Sequence, residues 1–375
     1  MLIRKITKKV LIISNISVAV LFLLALTNSF IPPYNWWPIA MLGIAFPIFL
    51  ILQLLFLILW VSYRSKWFIL PLFSLMLGYQ HIAALIAFNL PPNKEVVRTD
   101  SNTVSVLSWN VRWFDKQKRN DRDEVKDYRE SMLALIKEID ADVLCFQEFL
   151  EQPKDIEHSN VEALKKIGYK YYHRVIDYGS TERNTEVGVA IFSKYPFFNT
   201  TRLRYPGTVK ERAAESLISV DLVKKKDTIR IFNTHLQSIL LNNEDYENLQ
   251  KMMSANESVI NNSMPIFRKL RTGYKFRSQQ AEIVSETLNA SDYPAIVCGD
   301  FNDVPNSYTY FKIKGEHKDA FVEKGTFIGR TYRELGITLR IDYLICDPAF
   351  EVLAYERFRV PYSDHYPIKA VFKIP

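Results

Sequence analysis

Acidic residues are missing from the first ninety positions. Residues 1–90 hold no Asp or Glu and only six basic side chains, Arg4, Lys5, Lys8, Lys9, Arg64 and Lys66. An ion or proton pathway through this stretch has little support, because such pathways are built on intramembrane acids. Cysteine is scarce as well. Cys145, Cys298 and Cys346 are odd in number and lack metal-type spacing, which argues against a disulfide framework and a cysteine metal site. Each lies in an apolar run just ahead of a polar segment and reads as a buried thiol. A basic excess is also lacking where nucleic acid would need it. The formal charge is +7, yet 42 of the 48 Lys and Arg follow residue 90, where they meet all 41 acids. The later part is therefore close to neutral, a poor footing for tight duplex binding. No internal repeat is evident.

What the first ninety residues do contain is long apolar runs. Residues 10–31, 38–61 and 67–88 are free of charge apart from His81. Each is long enough to cross a hydrocarbon core of about 30 Å as a helix, the form that satisfies its own backbone. Trp36, Trp37, Trp60 and Trp67 fall near the run ends, as interfacial aromatics do. A cleaved signal peptide is the competing reading of the first run; two further runs and its length count against that. His81 reads as a helix–helix hydrogen-bonding group, with a functional role left open. The basic residues precede the first run and separate the second from the third, while the loop 32–37 is uncharged. Three crossings and the positive-inside rule would leave the C-terminal part on the outer side of a cell membrane.

Residues 91–102 read as a polar linker, and 103–375 as one domain. Runs rich in β-branched and aromatic residues recur at 103–109, 142–147, 187–193, 216–222, 228–234, 294–299, 341–346 and 368–374. Helical spacing marks 123–139 and 278–288. This mixture predicts a layered α/β sandwich. The polar, Asn-rich stretch 238–272 looks like an insertion, either a decoration or a cover for substrate.

The distinctive polar residues sit at strand ends: SWNVR at 108–112, QE at 147–148, NTHL at 233–236, GDFND at 299–303, RIDY at 340–343 and SDH at 363–365. In a sandwich, strand ends along one edge converge. Any one of these segments alone means little, since a lone Asn or Asp at a strand end is more often a turn residue. The six in this order resemble the endonuclease/exonuclease/phosphatase family over nearly the whole of 103–375. That resemblance implies a four-layer α/β/β/α sandwich of the deoxyribonuclease I type. It also implies hydrolysis of phosphate esters with a divalent cation, usually Mg²⁺, with Mn²⁺ or Ca²⁺ as alternatives.

The chemistry of the residues agrees. A phosphodiester is anionic and repels hydroxide, and a hard cation on oxygen ligands offsets that repulsion. Glu148 is the foremost metal ligand, with Asn110 and Asp364 assisting. Asp300 is assigned to orienting or deprotonating water. Asn302, two residues on and so on the same side of an extended segment, is assigned to the phosphate. His365 is the principal catalytic histidine, with Asp342 fixing its tautomer. His235 would bind a phosphate oxygen or protonate the leaving group; which histidine is acid and which base stays open. By resemblance alone, Glu186 would partner His235 and Arg212 would contact phosphate. His158, His173 and His317 receive no role. Expected partners are the lipid bilayer, through the N-terminal helices, and a phosphodiester from nucleic acid or a phospholipid headgroup; no protein partner is expected. The leading function is a metal-dependent phosphodiesterase or nuclease. The alternatives are a phospholipid- or sphingomyelin-type phosphodiesterase and a non-catalytic membrane-bound module of the same fold. An inositol-polyphosphate phosphatase fits less well, because the residues read GDFND and LRIDY.

Overall fold

The structure, a computed structural model, describes residues 2–89, 102–115, 128–207, 215–239, 259–334 and 336–375. Most of the expected linker, 91–101, and part of the expected insertion, 240–258, lie outside the described residues. The chain forms two compact units: Met1–Leu85 with Ser238–Gln279 and Asp303–Lys312, and Ile86–Gln237 with Gln280–Asn302 and Ile313–Pro375.

In the first unit, the helices Leu2–Leu26 and Pro38–Ser62 give two stretches long and apolar enough to cross a membrane, Lys5–Ser29 and Pro38–Ser62. Phe22 packs on Phe46 with ring centroids 5.2 Å apart. Ile13, Ile48, Ile51 and Ile58 all face outward and are exposed. A belt of exposed isoleucine suits hydrocarbon and not water.

The third expected span, 67–88, is not one straight helix. Lys66–Leu77 and Tyr79–Leu85 are bent by 63° at Gly78, and the chain turns extended at Ile86. Gly78 marks the bend: a Cβ there would lie 2.6 Å from the Phe22 ring, so glycine is what lets this turn pack on the first span. Two continuous spans therefore replace the three expected, and the bent pair would cross only as a broken one.

The ends of these helices carry a polar network. Asn28 donates from Nδ2 to the Asn306 carbonyl at 2.7 Å, and Asn306 donates from Nδ2 to the His81 carbonyl at 2.9 Å. The His81 ring lies 4.6 Å from that of Phe311. His81 is thus a packing and hydrogen-bonding group of the bundle. Asp303 accepts hydrogen bonds from Thr309 and Arg277 inside the same unit. Of the expected insertion, the stretch 259–272 is helical. It opens the single helix Val259–Asn289, which takes in the helix expected at 278–288.

The described residues of the second unit form fifteen strands: β1 (Ile86–Phe88), β2 (Thr103–Asn110), β3 (Val143–Glu151), β4 (Tyr171–Arg174), β5 (Tyr178–Ser180), β6 (Thr185–Ser193), β7 (Phe197–Arg204), β8 (Ser216–Lys224), β9 (Asp227–His235), β10 (Ala295–Asp300), β11 (Lys318–Asp319), β12 (Thr326–Ile328), β13 (Asp342–Cys346), β14 (Glu351–Arg357) and β15 (Ile368–Lys373). One sheet runs β14-β15-β2-β3-β6-β4, with β5 on β6; the other runs β11-β13-β10-β9-β8-β7. All eight strand runs expected from the sequence are strands.

Alternation along each strand divides the core. Val104, Val106, Val143 and Cys145 join Val220, Ile231, Ile296 and Cys298 between the sheets. Leu107, Trp109, Leu144 and Phe146 face the other way, onto Met132 and Ile136 of the helix Arg129–Ile139 and Leu164 of Asn160–Lys166. Ala281, Val284 and Leu288 of the long helix are buried in the remaining outer layer. The unit is the four-layer α/β/β/α sandwich expected. Its three cysteines are free and buried.

Candidate active site

Sheet register places the first three groups. Asp300, last residue of β10, pairs with His235 at the end of β9 on one side and with Asp342 at the start of β13 on the other. Directly opposed residues of neighbouring strands share a face, so these side chains stand in one row. Gly299 makes the row tight. It has φ +145°, and a Cβ there would lie 1.9 Å from the Thr234 carbonyl oxygen, so no other residue fits without displacing β9.

The facing sheet supplies the rest. Asn110 ends β2 beside Gln147 of β3. Glu148 follows at a break in the β3–β6 register, with φ +51°. This left-handed turn in a bulged strand is unusual for glutamate and re-aims its carboxylate. The Ser363–His365 segment is fastened to the end of β2: Trp109 donates from Nε1 to the His365 carbonyl at 3.0 Å, and the Ser363 hydroxyl donates to the Asn110 carbonyl at 2.8 Å. Beneath the site Gln147 donates from Nε2 to Asn233 Oδ1 at 2.7 Å, tying the sheets together.

The groups meet around Asp300. Its Oδ2 accepts from Asn110 Nδ2 at 3.1 Å and lies 3.5 Å from His235 Nε2 and 3.6 Å from His365 Nε2. Its Oδ1 accepts the Asn302 backbone N–H at 2.8 Å. The other nitrogen of His365, Nδ1, is 2.9 Å from Asp342 Oδ2. Asn110 Nδ2 also reaches Glu148 Oε1 at 3.3 Å, and Arg112 Nε lies 3.5 Å from Asp364 Oδ2.

The family model described as Endonuclease/Exonuclease/phosphatase family matches residues 107–365. The chain belongs to the endonuclease/exonuclease/phosphatase family. Solved structures of this type share the fold. The endonuclease/exonuclease/phosphatase from Beutenbergia cavernae is 19% identical over 73% of this chain and 72% of its own, with TM-score 0.50. The human Nocturnin catalytic domain, solved with a bound sulfate anion, is 17% identical over 73% of this chain and 94% of its own, also with TM-score 0.50. A second family model, described as Domain of unknown function (DUF8431), matches residues 8–85. No curated protein matches the chain.

Within this family member, seven of the expected site residues are brought together: Asn110, Glu148, His235, Asp300, Asp342, Asp364 and His365. Two expectations come out differently, and a third falls outside the described residues. Glu186 is not beside His235. It lies on β6, opposite Glu151 and Gly179, and pairs with Arg174 at 2.8 Å. The carboxylate at His235 is Glu215, whose Oε1 is 3.4 Å from Nδ1. Sequence reasoning missed it because it sits one residue before β8, outside every motif; the pairing of Leu217 with Thr234 carries it to the end of β9. Asn302 does not share a side with Asp300 through strand alternation. The strand ends at Asp300, and Asn302 turns left-handed with φ +53°, donating from Nδ2 to the Leu236 carbonyl at 2.9 Å. Arg212 lies outside the described residues.

Burial sets the charges. It pushes the Asp300 carboxyl up to about 7, with His365 opposing and Asp342 adding to the rise. His235 is lowered to about 3 by burial and by His365. For His365 burial also disfavours charge, but Asp342 and Asp300 outweigh it and raise the imidazole well above its usual value. Glu215 is raised well above the usual carboxylate range by burial, then by Asp177, Glu148 and Asp300.

Two sets of groups could hold a cation. Ligand atoms of Asp300, Asp342 and His365 lie within 4.8 Å of one another. Both nitrogens of that imidazole, however, already face carboxylates. Glu148 and Asp364 fit better. Glu148 is raised by burial and by the charge of Asp364, a repulsion between hard oxygen donors that a divalent cation would relieve.

Proposed function

We propose that the protein is a divalent-metal-dependent phosphodiesterase whose catalytic domain faces the outer side of a membrane. The single observation that carries the catalytic part is the convergence of two imidazole Nε2 atoms, 3.5 and 3.6 Å away, on one buried oxygen of Asp300. An isolated core aspartate has no need of two such neighbours. Together they form a small pocket of acid, base and hydrogen-bond donors on which an anionic tetrahedral group fits.

Glu148 and Asp364, with Asn110 beside them, would hold the cation. When bound, it would offset phosphate charge and polarise the phosphoryl oxygen. Asp300, kept in place by Asn110 and the Asn302 N–H, orients the attacking water and takes its proton. His365, held by Asp342 at Nδ1 and favoured in its charged form, donates from Nε2 to the phosphate. His235, anchored through Nδ1 by Glu215, presents Nε2 from the opposite side, toward a phosphate oxygen or the leaving group. With one amide proton of Asn302 on the Leu236 carbonyl, the second would donate to the developing charge.

Two features support the outward orientation. The basic residues lie before the first span and after the second, so the positive-inside rule puts those ends in the cytoplasm. Asn28, at the opposite end of the first span, bonds to Asn306. The segment Asp303–Lys312 then belongs on the outer side, and the bent pair crosses as a broken third span.

The test uses the full chain in detergent with bis-nitrophenyl phosphate, single- and double-stranded DNA, RNA, sphingomyelin and phosphatidylinositol. Cleavage of at least the generic diester is expected with Mg²⁺ and not with EDTA. Full activity in His365→Ala or Asp300→Ala would refute the catalytic reading. A C-terminal reporter active only in the cytoplasm would refute the orientation.

A further inference from the structure

One end of the helical unit gathers cations with nothing of its own to neutralise them. Phe22 meets Phe46, and Asn28 lies tight against Gly43, so the two spans run antiparallel. About four turns beyond Phe22 and Phe46, Lys8 comes level with Trp60. Lys5, Lys8, Lys9, Arg64 and Lys66 therefore crowd the same end of the bundle, and all are exposed. None of them forms an ion pair among the described residues, and the first ninety positions hold no acid. The spans themselves supply no counter-charge.

A cleft opens at this end. Lys66, Trp67, Ile69, Leu70 and Phe73 line an open groove of about 400 Å³ whose walls are almost wholly apolar. Lys66, Leu70 and Phe73 stand at i, i+4 and i+7 of the helix Lys66–Leu77 and so share one face. Pro71 and Ser74 lie on the other face and are buried, which leaves the groove facing outward. The head of the groove is set by the turn before it. Arg64 is left-handed with φ +49°, and the Ser65 hydroxyl accepts the Trp67 N–H. The cleft is thus polarised along its length: an ammonium and an indole at the head, then about 10 Å of hydrocarbon wall. A charged head above an apolar channel is complementary to a phospholipid.

We infer that this cleft binds one anionic phospholipid, its phosphate at Lys66 and Arg64 and an acyl chain along Ile69, Leu70 and Phe73. Basic residues beside a bilayer attract anionic headgroups. A zwitterionic headgroup brings its own cation and gains less from Lys66. The Trp67 ring sits between the two parts of the cleft, as an interfacial aromatic sits between headgroup and chain. The positive-inside rule assigns the lipid to the cytoplasmic leaflet. The inference rests on the membrane part of the proposed function and is independent of the catalytic part.

The test uses the full chain in phosphatidylcholine nanodiscs doped with lipid whose acyl chains carry bromine, which quenches indole fluorescence on contact. Comparison with Trp67→Phe gives the share of the emission that belongs to Trp67. Half-quenching of that share should need about fivefold less brominated phosphatidylglycerol than brominated phosphatidylcholine of the same chains, the effect of one cation at an anionic headgroup. Lys66→Gln should bring the two lipids together, and Lys66→Arg should keep them apart. Equal half-quenching by the two lipids in the unsubstituted chain would overturn the inference. An equal loss of preference in Lys8→Gln would overturn it too, leaving a diffuse basic collar in place of a cleft. Displacement by soluble glycerol phosphate would do the same, because the acyl chain would then contribute nothing. Absence of quenching by either lipid would refute the membrane reading itself. Hydrolysis forms no part of the readout, so failure of the catalytic proposal would leave this result standing.

Discussion

Replacing Asp342 with Asn removes one charge and almost no volume at the point on which the histidine geometry turns. Asp342 is buried, and its Oδ2 lies 2.9 Å from His365 Nδ1. At that separation, with an effective dielectric of about 20, a unit charge pair is worth about 6 kcal/mol. That sum equals about four orders of magnitude in rate if all of it appears in the transition state. An amide still offers an oxygen dipole to the imidazole, so the expected loss in kcat is about 100- to 10,000-fold, with little change in KM. The assay is Mg²⁺-supported hydrolysis of bis-nitrophenyl phosphate by the full chain, with near-UV circular dichroism to check the fold. A double substitution separates this role from simple packing. Asp342→Asn added to His365→Ala should cost almost nothing more, because the carboxylate acts through the imidazole. An Asp342→Asn enzyme within about threefold of the parent, correctly folded, would refute the reasoning.

Glu215→Gln tests the buried carboxyl at His235. The folded pKa of Glu215 is raised, so the native state binds the extra proton. The parent therefore loses stability as pH climbs from the unfolded value toward the folded one, at up to about 1.4 kcal/mol per pH unit. The Gln variant lacks this loss, and its stability relative to the parent should improve between about pH 5 and pH 8 in EDTA, read by denaturant midpoints; a pH-independent difference would count against the assignment. Glu148→Gln and Asp364→Asn should each raise the Mg²⁺ concentration needed for half activity by about 10- to 100-fold, and unchanged metal titrations would move the cation elsewhere. Gly299→Ala should cost about 4 kcal/mol or more and lower the yield of folded protein sharply, because its methyl has no place beside Thr234.

Much of this was readable without coordinates because it depends on local rules. Strands such as 103–110 and 295–300 carry their own β-branched and apolar pattern, and the polar residues at their ends mark where regular pairing stops. The readings that failed depend on contacts between distant segments. Glu186 is suggested by resemblance alone and Glu215 by no motif, and only the β8–β9 register brings Glu215 to His235. The relation of Asp300 to Asn302 followed strand parity, but the chain had already left the strand. Edge strands such as β7, with Asn199, Thr200 and Arg202 in an exposed run, lack the apolar alternation that would announce them. The third apolar run met the length criterion for a span; its bend at Gly78 sits tight against Phe22 of another helix, a contact that composition does not reveal.

The free thiols of the sandwich have a consequence for how the protein must be made. If the domain is exported, Cys145, Cys298 and Cys346 enter surroundings that oxidise exposed sulfhydryls. Cys145 and Cys298 come from different sheets and share one core, so closure of the two sheets is itself what shields them. A chain that closes late would offer three sulfurs for wrong crosslinks. Export through an oxidising compartment therefore favours rapid collapse of this core, and refolding in the laboratory should need a reductant only until the sheets have met.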